Sequence, residues 1–193
     1  MGQQGHIRLG ESPIQIMETK EKPSHASLSE VRGHYSGGSE KRYHNRELIG
    51  PRYIYTEGVK AHMDHADSYF ILIDILAKAK LELSDEQRGT FTAWELVVPW
   101  PGHTEYVKSF GETYEGVRLH NREGALYSGR LNDLPQGILT CRQDSGMPVQ
   151  CNQVYDWGFS HPGGRWKFFL CKGGIMLNGV VVEGYTLMLP NEY

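Results

Sequence analysis

Ile175-Met176-Leu177-Asn178-Gly179-Val180-Val181-Val182 reads as two extended runs joined by a two-residue turn. Asn-Gly tolerates the positive φ angles of a type I′ turn, whose twist matches the strands it joins. Downstream, Tyr185-Thr186-Leu187-Met188-Leu189 gives a last extended run before Pro190. Upstream, Leu139-Thr140-Cys141 and Val149-Gln150-Cys151 flank Asp144-Ser145-Gly146, a second hairpin signal. Gly163-Gly164-Arg165 and Gly173-Gly174 read as turn punctuation. Further back, the run from Phe91 to Val98 mixes aromatic and β-branched residues and reads as a strand. Pro99 and Pro101 end it, because neither can donate to a ladder.

The clearest element precedes all of these. Thr56 is a good helix N-cap, and Glu57 puts negative charge on the positive end of the helix dipole. Val59, Met63, Ala66, Phe70, Ile73 and Ala77 recur at spacings of four and three, which lays one apolar stripe down a helix. Ile71, Leu72, Ile75 and Leu76 widen the stripe, so packing on more than one side is expected. The pattern predicts one helix from about Glu57 to Leu81, ending on Lys78 and Lys80. One long helix followed by hairpins predicts an α+β fold, with the helix covering one face of an antiparallel sheet. Asp74 lies inside the apolar pattern and needs a partner such as Arg, His or a backbone donor. A structural hydrogen bond is the expected answer.

The chain has 193 residues, enough for one domain with a real core. Residues 1–33 are rich in Gly, Gln, Ser, Glu, Lys and Pro, with only Ile14-Gln15-Ile16-Met17 as an apolar cluster. They read as a disordered polar tail before a single domain over 34–193. The formal charge of −3 argues against a nucleic-acid binder held by bulk electrostatics, though a local basic patch stays open. No apolar run approaches the roughly 20 residues of a membrane helix, and the first residues carry no secretory pattern. Three cysteines make no disulfide framework, so the expected compartment is the cytoplasm.

Four stretches carry a family resemblance. Tyr35-Ser36-Gly37-Gly38-Ser39-Glu40 with Tyr43-His44, and Tyr55-Thr56-Glu57-Gly58-Val59-Lys60 running on through Ser68-Tyr69-Phe70 to Asp74, are the first two. Ala93-Trp94-Glu95-Leu96 with Leu139-Thr140-Cys141, and Leu187-Met188-Leu189-Pro190-Asn191-Glu192-Tyr193, are the others. In this order they resemble a family of short bacterial proteins, often carried on plasmids and phages, known only as a domain of unknown function. The resemblance covers 35–98 and 138–193, which makes 99–137 an insertion and 1–33 an addition. It implies a compact fold and a mobile-element setting. It carries no assigned activity and transfers no catalytic residues.

Each candidate chemistry has a plainer reading beside it. His62-Met63-Asp64-His65 puts two histidines three apart on a helix, where both can face one metal; His103 or His161 could complete a metal-dependent hydrolase. Helical zinc motifs usually space the histidines four apart with a Glu, so a solvated face is the plainer reading. Cys141, Cys151, His161 and Cys171 follow one another at intervals of ten, which allows a Cys3His site but lacks Cys-x2-Cys knuckles. Lys41, Arg42, Tyr43, Arg46, Arg52 and Tyr53 interleave basic and aromatic residues, as a phosphate-and-stacking surface does, but Glu40 and Glu47 dilute the charge. No Gly-x-Ser-x-Gly elbow or phosphate loop occurs.

The expected function is therefore a non-enzymatic protein-interaction module without a cofactor, an accessory protein that binds a host factor. Trp100, Tyr106, Phe110 and Tyr114 are its expected aromatic anchors. A small nucleic-acid binder using 41–53 and a hydrolase using His62, Asp64 and His65 are the alternatives.

Overall fold

A computed structural model describes residues 24–35, 41–44, 50–99, 113–114, 116–127, 137–155 and 161–193. The chain runs through α1 (His25–Gly33), β1 (Arg42–His44), β2 (Tyr53–Thr56), α2 (Glu57–Ala66), α3 (Tyr69–Leu81), α4 (Asp85–Arg88) and β3 (Phe91–Val98). It continues through β4 (Thr113–Tyr114), β5 (Val117–Arg118), β6 (Gly137–Arg142), β7 (Val149–Tyr155), β8 (Gly164–Leu177) and β9 (Val180–Met188) to a 3-10 turn, Pro190–Glu192. Seven strands form one sheet in the order β1-β2-β9-β8-β3-β6-β7, while β4 and β5 pair separately. Every described neighbour pair is antiparallel except β2 beside β9.

The expected hairpins form. Asn178 and Gly179 take φ of 51° and 82°, the paired positive angles of a type I′ turn, between β8 and β9. Cys141 stands directly opposite Cys151 across β6 and β7. The glycines read as turn punctuation lie elsewhere, however: Gly164 opens β8, and Gly173 and Gly174 sit inside it.

Strand alternation sends Trp94, Leu96 and Val98 of β3 to the helix side, where they join Phe168, Leu170 and Leu187 in the main core. Val59, Met63, Ile71, Leu72, Ile75 and Leu76 of α2 and α3 supply the opposing layer. Each such buried side chain contributes about 1.5–3 kcal/mol. A smaller cluster of Val97, Leu119, Ile138 and Val154 occupies the other face.

Two expectations need correction. The single helix over Glu57–Leu81 is two helices, because Asp67 adopts the left-handed conformation at φ 48° and ψ 47°. Asp tolerates that region better than most residues, and the Ser68 amide reaches back to the Met63 carbonyl to close the end. The apolar stripe changes phase at this break. In α3 the buried set is Ile71, Leu72, Ile75, Leu76 and Ala79, whereas Phe70, Ile73 and Ala77 are only half-buried.

The second correction is in the tail. Residues 24–33, expected to be disordered, hold helix α1, and Leu28 is fully buried. Ser24 and Ser27 cap it reciprocally, each side chain accepting from the other's backbone amide at 3.1 and 2.9 Å. Residues 1–23 lie outside the described residues.

Asp74 finds the partner its burial demands. Arg122 donates to one carboxylate oxygen at 3.0 Å and Gln153 to the other at 2.7 Å. The same loop is held to β7 by Asn152, which accepts from the His120 amide and donates to the Arg118 carbonyl. Part of the 99–137 stretch is thereby fastened to the core.

Candidate interaction site

His62, Asp64 and His65 share a helix but do not converge: Asp64 and His65 line one open groove, and His62 is not part of it. His62 is fully buried against Trp166 and Phe168, with ring centroids 5.6 and 5.1 Å away. Asp64 is exposed and accepts from Lys60 and Tyr69. His65 turns toward α1, its Nε2 2.8 Å from Ser27 Oγ. The Ser27 hydroxyl donates to the Ser24 carbonyl, so its proton serves the helix cap and the pair joins α1 to α2. Among the described residues, no three His, Cys, Asp or Glu side chains converge as a metal site.

The cysteines divide between the two faces of the sheet. Cys141 belongs to the helix-side core, with Cys151 packed against it. Cys171 follows the inward Leu170 and alternates to the opposite face. Burial pushes the Cys141 thiol far up, which holds it protonated. His161 lies beside His62 at a ring separation of 5.7 Å.

The described basic residues of the connector, Lys41, Arg42 and Arg52, are exposed, while Tyr43 and Tyr53 pack on the domain. Lys41 pairs with Glu57 at 3.1 Å, and Tyr43 stacks on Tyr55 with Lys60 above its ring. Arg42 is exposed on β1, and Arg52 lies in the turn before β2. Arg46 lies outside the described residues, as do Trp100, Tyr106, Phe110 and His103. Tyr114 is in β4, paired with Val117.

Between α1, α2 and the start of β8 lies a cluster that sequence reading missed. Arg32 on α1 donates to the Lys167 carbonyl at 2.6 Å and lies 3.1 Å from His62 Nδ1. Its guanidinium carbon sits 5.4 Å from the Trp166 ring centroid and 5.1 Å from that of Phe168. Desolvation lowers the Arg32 pKa to about 10, opposed by the Glu192 carboxylate. Burial, followed by the Arg32 charge, pushes His62 well below the usual histidine range and His161 down to about 3. On its outer flank an open groove of about 460 Å³ is lined by Val31, His34, Tyr35, Ala61, Asp64 and His65.

The β8–β9 hairpin runs past its neighbours. β3 pairs with β8 only as far as Cys171, and β2 pairs with β9 only from Tyr185. Among the described residues, the two strands pair only with each other from Gly173 to Gly184. Near the tip of this arm, Met176, Val180 and Val181 are 60%, 62% and 65% exposed. Met176 stands opposite Val181, and a Lys172–Glu183 ion pair at 3.0 Å cancels charge at the base. The signal was legible in the apolar run around Asn178-Gly179, but strand alternation alone does not say which runs outlast their neighbours.

The sheet face away from the helices carries Phe91 and Phe169, packed edge to face at 4.8 Å. Nearby, Ala93, Glu95, Thr140, Arg142, Ser145 and Lys167 help to line a cavity of about 90 Å³. The buried Thr140 hydroxyl there has no hydrogen-bond partner among the described residues. That volume holds roughly three waters' share of liquid, too little for a sizeable ligand.

Residues 33–193 match the model of a family of unknown function, DUF6876. No curated protein and no solved structure matches the chain.

Proposed function

The chain belongs to DUF6876, and we propose that it is a non-enzymatic protein-binding module that engages its partner through the β8–β9 arm. The observation that carries this reading is the pair Met176 and Val181, cross-strand neighbours on one face of the arm and both exposed, where among the described residues β8 and β9 pair only with each other. A two-stranded ribbon alone is marginal in water, and contiguous exposed apolar side chains mark interaction surfaces. Methionine is enriched at such surfaces, and its flexible side chain adapts to the partner.

Nucleic acid is a poor match for an apolar tip whose nearest charges are a matched ion pair. The hydrolase reading has no support in geometry that sends His62, Asp64 and His65 to three different neighbours. Trp100, Tyr106, Phe110 and Tyr114 remain the second expected contact region, and a cytoplasmic host protein is the class of partner that the plasmid and phage resemblance suggests.

The test uses the full chain as bait, wild type beside the double substitution M176K/V181E, which sets opposite charges across the ribbon. Both positions are exposed, so melting should move by only a degree or two. Retention of an identified partner, measured as a dissociation constant with that partner purified, should weaken at least tenfold, as for interface hot spots. Equal affinity of both proteins for the partner would remove the arm from the function. A parallel salt titration covers nucleic acid: salt-sensitive DNA or RNA binding abolished by K41A/R42A/R46A would replace this reading with the connector's.

A further inference from the structure

We propose that Cys141 and Cys151 form a modification site, a dithiol that peroxide converts to a reversible disulfide across β6 and β7. The two stand directly opposite each other in the ladder, with both side chains on the helix side of the sheet. Facing residues of an antiparallel pair have Cα atoms about 4.5–5.5 Å apart, inside the range of about 4.4–6.8 Å that disulfides span. A register shift between Cys141 and Arg142 interrupts the ladder at this point, so the strands can adjust there. Cys171 lacks the arrangement. Phe91 and Thr186 face it across β3 and β9, and it lies on the other side of the sheet.

Exposure assigns the roles. Cys151 is half-buried and meets the oxidant first, whereas Cys141 is fully buried. Burial, and then the adjoining Cys151 thiol, pushes the Cys141 thiol far up, so it waits in the protonated form. Its sulfur makes long contacts, 3.9 Å to the Arg142 carbonyl and 3.8 Å to Gln150 Oε1. Neither competes with a covalent bond.

The chemistry balances in two steps. The Cys151 thiol loses its proton, and its sulfur attacks one oxygen of hydrogen peroxide. The O–O bond breaks, a sulfenic acid remains on Cys151, and the departing hydroxide takes up a proton as water. The Cys141 sulfur then displaces hydroxide from the Cys151 sulfur and forms the S–S bond. The Cys141 proton leaves with that hydroxide in a second water. Two thiols lose two electrons in all, and the peroxide accepts both.

The experiment treats the full chain with hydrogen peroxide, alkylates the remaining thiols and digests without reductant. Trypsin cuts after Arg142, between the two cysteines, so the disulfide joins two otherwise separate peptides. By mass spectrometry the joined pair should form roughly ten times faster than any oxidised form of Cys171. Dithiothreitol should restore both thiols, and C171S should behave as the wild type. In C141S the reaction should stop at the sulfenic acid, which dimedone traps on Cys151. The wild-type measurement requires no change at buried Cys141, so it stands even where C141S fails to fold. Oxidation of Cys171 without the joined pair, or sulfinic acid on Cys151 in place of the disulfide, would overturn the proposal. So would a disulfide formed only between chains. Folded C141S that yields no dimedone adduct would overturn Cys151 as the attacking thiol.

Discussion

Glu192→Ala should lower stability by about 3–5 kcal/mol, because its carboxylate replaces water for three buried donors at once. The side chain is 5% exposed and accepts from the Gly58 amide at 3.1 Å, the Leu189 amide at 2.9 Å and the Thr56 hydroxyl at 2.5 Å. Gly58 is the second residue of α2, so the carboxylate also lies on the positive end of that helix. Hydrogen bonds to a charged group contribute about 1.5–3 kcal/mol each, and they do not add fully. For a chain of this length the melting temperature should fall by roughly 10 °C.

A double-mutant cycle makes the argument specific. A Cβ built on Gly58 lies 2.8 Å from the Glu192 carboxyl carbon and both its oxygens. Gly58→Ala should therefore destabilise the wild type. In the E192A background it should cost nothing, or stabilise through helix propensity by up to about 1 kcal/mol. Denaturant melts of the four proteins give the coupling. An equal cost of Gly58→Ala in both backgrounds would show that the clasp is not the reason for glycine here.

This clasp gives a physical reason for two of the stretches on which the family resemblance rested. Thr56-Glu57-Gly58 and Leu189-Pro190-Asn191-Glu192 lie 131 or more residues apart, yet they meet through one carboxylate. Each stretch was legible as a local signal: an N-cap with an acidic first turn, and a run stopped by proline. Their contact was not, since nothing local in Glu192 distinguishes a buried acceptor from a solvated terminus.

The same limit explains the other differences. Strands β3, β6, β7 and β9 announced themselves because apolar and β-branched residues cluster between turn residues. The break at Asp67 was hidden because apolar residues continue through it and only their phase changes. α1 was hidden for the opposite reason, since one leucine and one arginine do its burying. Arg32 reaches a carbonyl 135 positions away, which no spacing rule anticipates. Asp74 was legible as a demand for a partner, but the identity of Arg122 and Gln153 required the fold.

Acidification should loosen α1 well before carboxylate titration alone predicts. His62 and His161 are held neutral, first by burial and then by the Arg32 charge; His65 also acts on His62 and His25 on His161. Glu192 offsets part of the charge on Arg32. An unfolded histidine takes a proton near pH 6.5, whereas folded His161 waits until about pH 3 and His62 until well below its usual range. Between those values the unfolded chain binds more protons, so stability falls as pH falls. Above about pH 6.5 both states are neutral at these rings and the penalty vanishes. The slope is at most about 1.4 kcal/mol per pH unit for each histidine. Protonation of His62 at Nδ1 also breaks its contact with Arg32 and sets two cations side by side, so α1 amides should lose exchange protection first. His62→Gln keeps a polar group near Arg32 but cannot titrate. Its melting temperature should vary less than that of the wild type between pH 6.5 and pH 4. Every carboxylate is common to both proteins, so the difference between the two profiles isolates the imidazole. Superimposable profiles would mean that His62 is not held neutral by the fold.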